Sequence, residues 1–255
     1  MNSRRPKLGI LGGMGPLATV DFLRKLVAAT PAVSDQDHMP TITYSASYIP
    51  DRTASIQGHG PSPLPEMLSG LDILARSGAS CIAIPCNTAH FWYDQLKQCS
   101  LVPIFHIAEA ACERAGQQVR PGANIGVLAT AGAVQSRVYQ QSIEARGFKC
   151  LEPEPDDLNT LIMPAIYQVK AGNVAAAVPL LDKARDRLVA RGADRIILGC
   201  TEIPIALPVT AAPGLLIDAT EALAYHCVNW WIGERGHLHS MEKQPAASAQ
   251  CGTSA

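Results

Sequence analysis

Apolar positions follow two rhythms along this chain. Short runs, apolar throughout or at every second position, read as strands. They fall at Leu8–Leu11, Thr41–Ala46, Cys81–Pro85, Val102–Phe105 and Ile125–Leu128, near Phe148–Leu151, at Arg195–Leu198 and near Leu215–Ile217. Longer stretches between them carry the rhythm of amphipathic helices. These are Leu17–Thr30, Pro63–Ser77, Thr88–Gln98, Ile107–Gln118, Val134–Arg146, Asp156–Lys170, Val174–Arg191 and Thr220–Trp231. In Pro63–Ser77, for example, Leu64, Met67, Leu68, Leu71 and Leu74 share one face. Pro16 stands where a first helical turn tolerates it. This alternation predicts an α/β fold with mostly parallel sheets, flanked by helices and joined by right-handed crossovers.

The order of elements restarts midway. Gly9-Ile10-Leu11 resembles Gly126-Val127-Leu128, and Ile82-Ala83-Ile84-Pro85-Cys86-Asn87-Thr88 resembles Ile196-Ile197-Leu198-Gly199-Cys200-Thr201-Glu202. Cys86 follows Gly9 by 77 residues and Cys200 follows Gly126 by 74, a difference of about one helical turn. The repeat is faint, yet it predicts two similar lobes related by a pseudo-twofold axis, with a cleft between them. Residues 1–107 make the first lobe, and the final helix, 220–235, is expected to pack back on it. Residues 108–219 make the second. Residues 236–255 are polar, small and aperiodic and are expected to form a disordered tail.

Composition narrows the partners. Of 255 residues, 47% are hydrophobic, and the formal net charge is −1. Nothing in that balance points to nucleic acid or to a membrane surface. No apolar run approaches the roughly 18 residues of a membrane span. Met1–Lys7 is basic, but glycines and a proline interrupt Leu8–Ala18, which reads as strand and loop rather than signal-peptide core. The eight cysteines show no dense disulfide spacing, Cys251 lying in the tail, and read as reduced thiols of a cytoplasmic protein. Cysteines and histidines show no paired metal-ligand spacing, so no metal is expected. Gly12-Gly13-Met14-Gly15 lacks the dinucleotide-binding spacing. It reads as a turn that lets a small ligand approach the backbone.

Cys86 and Cys200 carry the candidate chemistry. A cysteine ending an apolar strand is ordinarily a small buried hydrophobe. Here three features point further. Each thiol lies at the C-terminal end of a strand, where open α/β sheets hold their ligands. Each is followed by small polar residues, Asn87-Thr88 and Thr201-Glu202. Each holds the same place in the repeat. Two thiols opposed across one site suit cofactor-free inversion of an amino acid. One removes the α-proton from one face while the other supplies a proton to the opposite face. Cysteine, with a free pKa of about 8.5, can serve in both roles. Backbone N–H groups of the turns that follow would favour a thiolate and bind a substrate carboxylate.

Five segments together resemble the aspartate/glutamate racemases that work without pyridoxal phosphate, and within them the aspartate racemase branch. They are Leu11-Gly12-Gly13-Met14-Gly15-Pro16-Leu17-Ala18-Thr19, Ile49-Pro50-Asp51-Arg52-Thr53, Pro85-Cys86-Asn87-Thr88-Ala89-His90, Val169-Lys170-Ala171-Gly172-Asn173 and Gly199-Cys200-Thr201-Glu202. The resemblance runs in order to about Ile232. It implies a cofactor-independent racemase, aspartate first and glutamate or a broader range second, with Cys86 and Cys200 as the two proton donor/acceptors. It makes Asn87, Thr88, Thr201 and Glu202 ligands of the α-carboxylate and ammonium, with Glu202 on the ammonium. Met14 becomes cleft wall, and Thr130 a candidate from the equivalent loop of the second lobe. Arg52 and Lys170 become the cations for substrate carboxylates. A buried dicarboxylate independently requires about two cationic partners. The implied partner is thus an acidic amino acid, and a homodimer is expected.

One stretch departs from that pattern: Ser45-Ala46-Ser47-Tyr48 replaces the amide-rich residues common before Ile-Pro-Asp-Arg. If it lines the cleft, substrate preference shifts; alternatively Tyr48 is a packing residue. Two other functions fit the same fold, a maleate-isomerase-like or decarboxylase-like enzyme and a non-catalytic binder of acidic amino acids, but neither uses a pair of opposed thiols on an amino acid. His90 is expected to cap or orient the Cys86 loop, and Trp230 and Trp231 to cover an apolar surface at a lobe junction or subunit contact.

Overall fold

The computed structural model describes residues 5–242, with side chains to residue 235. Among the described residues, eight parallel strands form two four-stranded sheets. The first holds β1 (Leu8–Gly12), β2 (Thr41–Ser45), β3 (Cys81–Ala83) and β4 (Ile104–Phe105) in the order β2-β1-β3-β4. The second holds β5 (Asn124–Ala129), β6 (Lys149–Leu151), β7 (Arg195–Gly199) and β8 (Leu216–Asp218) in the order β6-β5-β7-β8. The two orders are the same when each lobe is counted from its own first strand. β3 therefore corresponds to β7, and Cys86 and Cys200 follow equivalent strands. The central strands are covered on both faces and read as unbroken apolar runs: β1 is buried at every position. The edge strand β2 alternates half-buried with exposed residues.

One apolar core runs between the lobes. It joins Leu8, Ile10 and Phe22 of the first to Ile125, Val127 and Ile197 of the second through the helices Ile107–Gly116 and Ala219–Glu242. The final helix therefore packs on the helix Pro16–Ala29 of the first lobe and also on Ile107–Gly116, β7 and β8. Trp231 is buried in this core, and Trp230 packs against Phe105. Both tryptophans thus stand at the lobe junction.

Three elements depart most clearly from expectation. The final helix continues to Glu242, so 236–242 is helix rather than tail, and 243–255 lies outside the described residues. Polar, small residues extend a helix already anchored by its buried N-terminal half, which periodicity over the polar part cannot reveal. The stretch Val134–Arg146 is two helices, Ala131–Gln135 and Val138–Glu144, separated by Arg137 at φ 57°. The stretch Asp156–Lys170 is interrupted by a π-helical turn, Leu158–Ile162, before Met163–Lys170 resumes. Pro164 lacks the N–H that a regular α-turn needs at that position, and a widened turn accommodates it.

Candidate active site

The cleft forms where the C-terminal ends of both sheets meet. Gly13, at φ 88°, turns the chain after β1, and a Cβ there would come within 2.5 Å of the Ala46 backbone. This close crossing brings Met14 to the cleft wall. The cavity is lined by Met14, Arg52, Asn87, Thr88, Thr130, Lys170, Thr201, Glu202 and the two thiols, Cys86 and Cys200. All ten residues singled out in the sequence therefore meet in one place. The empty space there, part of it open to solvent, is about 290 Å³. Asp51 and Thr53 also line it. Asp51 accepts from the Ala54 N–H at 2.8 Å and starts the short helix Arg52–Ile56, which carries Arg52 into the site.

Both thiols are buried and unpaired as disulfides. The Cys86 loop is held from behind by His90. The Ile107 N–H donates to His90 Nε2 at 3.2 Å, so Nδ1 carries the proton and donates to the Cys86 carbonyl at 2.9 Å. Burial lowers the His90 pKa and keeps the ring neutral. His90 therefore orients the loop.

Cys200 sits beside a carboxylate. Its Sγ donates to Glu202 Oε2 at 3.1 Å, and burial, followed by the Glu202 charge, pushes its pKa well above the ordinary cysteine value. Lys170 works in the opposite direction but does not prevail. The helix that follows, Ile203–Ala206, has one turn, too short a dipole to offset an adjacent carboxylate. The Glu202 contact and burial therefore both favour the protonated thiol at Cys200. Thr201 Oγ1 also donates to Glu202 Oε2, at 3.2 Å. Burial opposes the Lys170 charge, but the surrounding negative charge, Glu202 first, outweighs it and raises the ammonium's pKa.

The first lobe presents donors. Arg52 is buried without a carboxylate partner among the described residues. Its Nη1 donates to the carbonyls of Ile49 and Pro50, and Nη2 to that of Met14 at 3.1 Å. Nε has no partner among the described residues. Asn87 Oδ1 accepts from the Tyr139 hydroxyl of the second lobe, and its buried Nδ2 has no partner among the described residues. The Thr88 and Thr130 hydroxyls bond each other across the lobes at 2.8 Å. Thr130 also caps the helix Ala131–Gln135 by accepting from Ala133 N–H.

Ser45–Tyr48 does not line this cavity. Ser45, Ser47 and Tyr48 are exposed, Ala46 faces the apolar core, and the Tyr48 hydroxyl bonds that of Tyr44 at 2.8 Å. The departure from the resembling pattern therefore lies outside the cleft. Among the described residues, no three His, Cys, Asp or Glu side chains cluster so as to hold a metal, and no helix is long and apolar enough to cross a membrane.

Known proteins align with this chain over most of its length. The broad specificity amino-acid racemase RacX of Bacillus subtilis is 28% identical over 236 residues, covering 88% of this chain and 98% of that protein. A glutamate racemase of Pseudomonas entomophila is 29% identical, covering 93% and 86%. Among solved structures, the Picrophilus torridus aspartate racemase superposes with a TM-score of 0.79 at 27% identity, covering 91% and 94%. The family model for Asp/Glu/Hydantoin racemases matches residues 11–227, and the chain belongs to that racemase family.

Proposed function

We propose that this protein racemises an acidic amino acid, aspartate first, without pyridoxal phosphate, by proton transfer between Cys86 and Cys200. The observation that carries this reading is the meeting of two buried, unbridged thiols from equivalent strands in one small polar cavity. The substrate α-carbon lies between the sulfurs. The Cys86 thiolate takes the α-proton from one face, and the Cys200 thiol gives its proton to the other. The Cα–H bond breaks as a new Cα–H bond forms on the opposite side, and the reverse reaction exchanges the roles. Asn87 Nδ2 and the hydroxyls of Thr88 and Thr201 bind the α-carboxylate, while Lys170 and the free donors of Arg52 take the side-chain carboxylate. Glu202 accepts the ammonium. A bound ammonium also neutralises the charge that raises the Cys200 pKa, so substrate eases the deprotonation of Cys200 needed in the reverse direction.

The test is to incubate protein free of pyridoxal phosphate with each L-amino acid and with D-aspartate and D-glutamate in D₂O. Deuterium at Cα and optical inversion are then followed. Aspartate should exchange fastest. Fastest exchange of glutamate or of several neutral amino acids would replace aspartate with the broader range that the RacX alignment favours. No exchange with any amino acid would overturn the proposal.

Glu202→Gln separates its two roles. Removing the carboxylate's charge favours the Cys200 thiolate. Alkylation of Cys200 at pH 8, resolved by mass spectrometry, should therefore accelerate. Loss of the ammonium partner, a charge-assisted hydrogen bond of about 1.5–3 kcal/mol, should lower kcat/KM about 10- to 150-fold. Unchanged alkylation would show that Glu202 does not hold the Cys200 proton.

A further inference from the structure

Asn87 presents an amide whose two ends have opposite chemistry. Its oxygen can only accept and its NH₂ can only donate. Only the NH₂ end can bind a substrate carboxylate; turned around, the oxygen would repel it. The amide is 2% exposed and borders the cavity, and Nδ2 has no partner among the described residues. Its orientation is therefore set by what holds the oxygen.

That group is Tyr139, on the helix Val138–Glu144 of the second lobe. Tyr139 is 3% exposed and does not line the cavity. Its hydroxyl donates to Asn87 Oδ1 and has no other partner among the described residues. If the amide turned around, the hydroxyl hydrogen would be buried with no acceptor, which is costly. Burial pushes the phenol's pKa well above its ordinary value, so it remains a donor at working pH. The ring is itself held in place. A Cβ at Gly199, the residue before Cys200, would stand 2.7 Å from Tyr139 Cε2, so glycine there leaves the space the ring fills.

We infer that Tyr139 is a positioning residue whose hydroxyl locks the Asn87 amide with Nδ2 toward the cavity, making Asn87 an obligate donor to the substrate carboxylate. The catalytic part of this inference rests on the proposed racemisation; the orientation of the amide does not. Because Tyr139 and Asn87 come from different lobes, the donor is set only when the lobes are together. A free Asn87 would spend part of its time turned away from substrate, which weakens binding more than it slows proton transfer.

The test is a double-mutant cycle of Tyr139→Phe, Asn87→Ala and the pair, read by α-deuterium exchange and by the ¹⁵N resonance of the Asn87 side-chain amide. Tyr139→Phe should raise KM about tenfold with kcat within about threefold. The double variant should match Asn87→Ala alone, because Tyr139 acts through Asn87. The Asn87 amide resonance, identified by its loss in Asn87→Ala, should shift or broaden in Tyr139→Phe. An unchanged KM, or effects that multiply in the double variant, would overturn the inference. If the wild-type protein exchanges no amino acid, the proposed reaction fails while the amide resonance still decides: unmoved in Tyr139→Phe, it sinks the lock as well.

Discussion

Cys86→Ala and Cys200→Ala should each lower racemisation at least about a thousandfold, with the fold intact by circular dichroism. General acid–base catalysis by one positioned group contributes about 10²–10⁴-fold, and inversion requires both groups in every turnover. The double variant should be little worse than either single one, because two groups acting as a unit are not additive. The stronger signature lies in the residual activity. With one thiol left, a base remains on one face only. Slow α-deuterium exchange without inversion should then be confined to one enantiomer in Cys86→Ala and to the other in Cys200→Ala. Exchange of the same enantiomer by both variants would contradict opposed bases. So would either variant retaining turnover within tenfold of wild type. Instability does not confound the comparison, since removing one sulfur from a small buried side chain costs far less than the total stability of a domain.

Most of the cavity residues were legible because they stand beside a signal local in sequence. Cys86 and Cys200 end apolar strands and recur in the repeat. Asn87, Thr88, Thr201 and Glu202 are their immediate neighbours, and Met14 follows a glycine turn. Arg52 and Lys170 came from the family resemblance, which ties segments that the chain keeps far apart. The common strand order of the two sheets was foreshadowed by the matched spacings alone. Tyr139 had no such signal. It is one polar aromatic in a helical stretch, and its role depends on the break at Arg137 and on a glycine 60 positions later, at residue 199. The resting state of Cys200 was left open by the sequence for a related reason. Strand-to-helix junctions suggest a favourable dipole, but the sequence does not show that Glu202 folds back onto the sulfur two residues before it. Lys25 was equally silent: a lysine on an amphipathic helix reads as a solvated residue until the partner lobe is in place.

Lys25→Met should destabilise the protein by about 3–5 kcal/mol, the cost of leaving buried carboxylates without their cation. Lys25, on the helix Pro16–Ala29, is 8% exposed. It bridges Asp21, one turn earlier, and Asp218, at the end of β8 in the other lobe, with Nζ 2.5 Å from Asp218 Oδ2. Asp218 is 5% exposed, and its second oxygen caps the final helix by accepting from Thr220 N–H at 2.8 Å and Glu221 N–H at 3.0 Å. One lysine thus ties the first lobe to the strand end and helix start that close the second. At about 2–4 °C per kcal/mol for a chain of this size, the melting temperature should fall by roughly 10 °C. Adding Asn at 218 removes the stranded charge while keeping an oxygen for the cap, so Lys25→Met/Asp218→Asn should recover part of the loss. A Lys25→Met variant within 1 kcal/mol of wild type in urea unfolding would show that the pair contributes nothing net. The ion pair touches no residue of the cavity, so exchange at 15 °C by the still-folded fraction should keep its wild-type KM. A raised KM in folded Lys25→Met would mean that the same contact also sets how closely the two lobes, and with them the two thiols, are held around substrate.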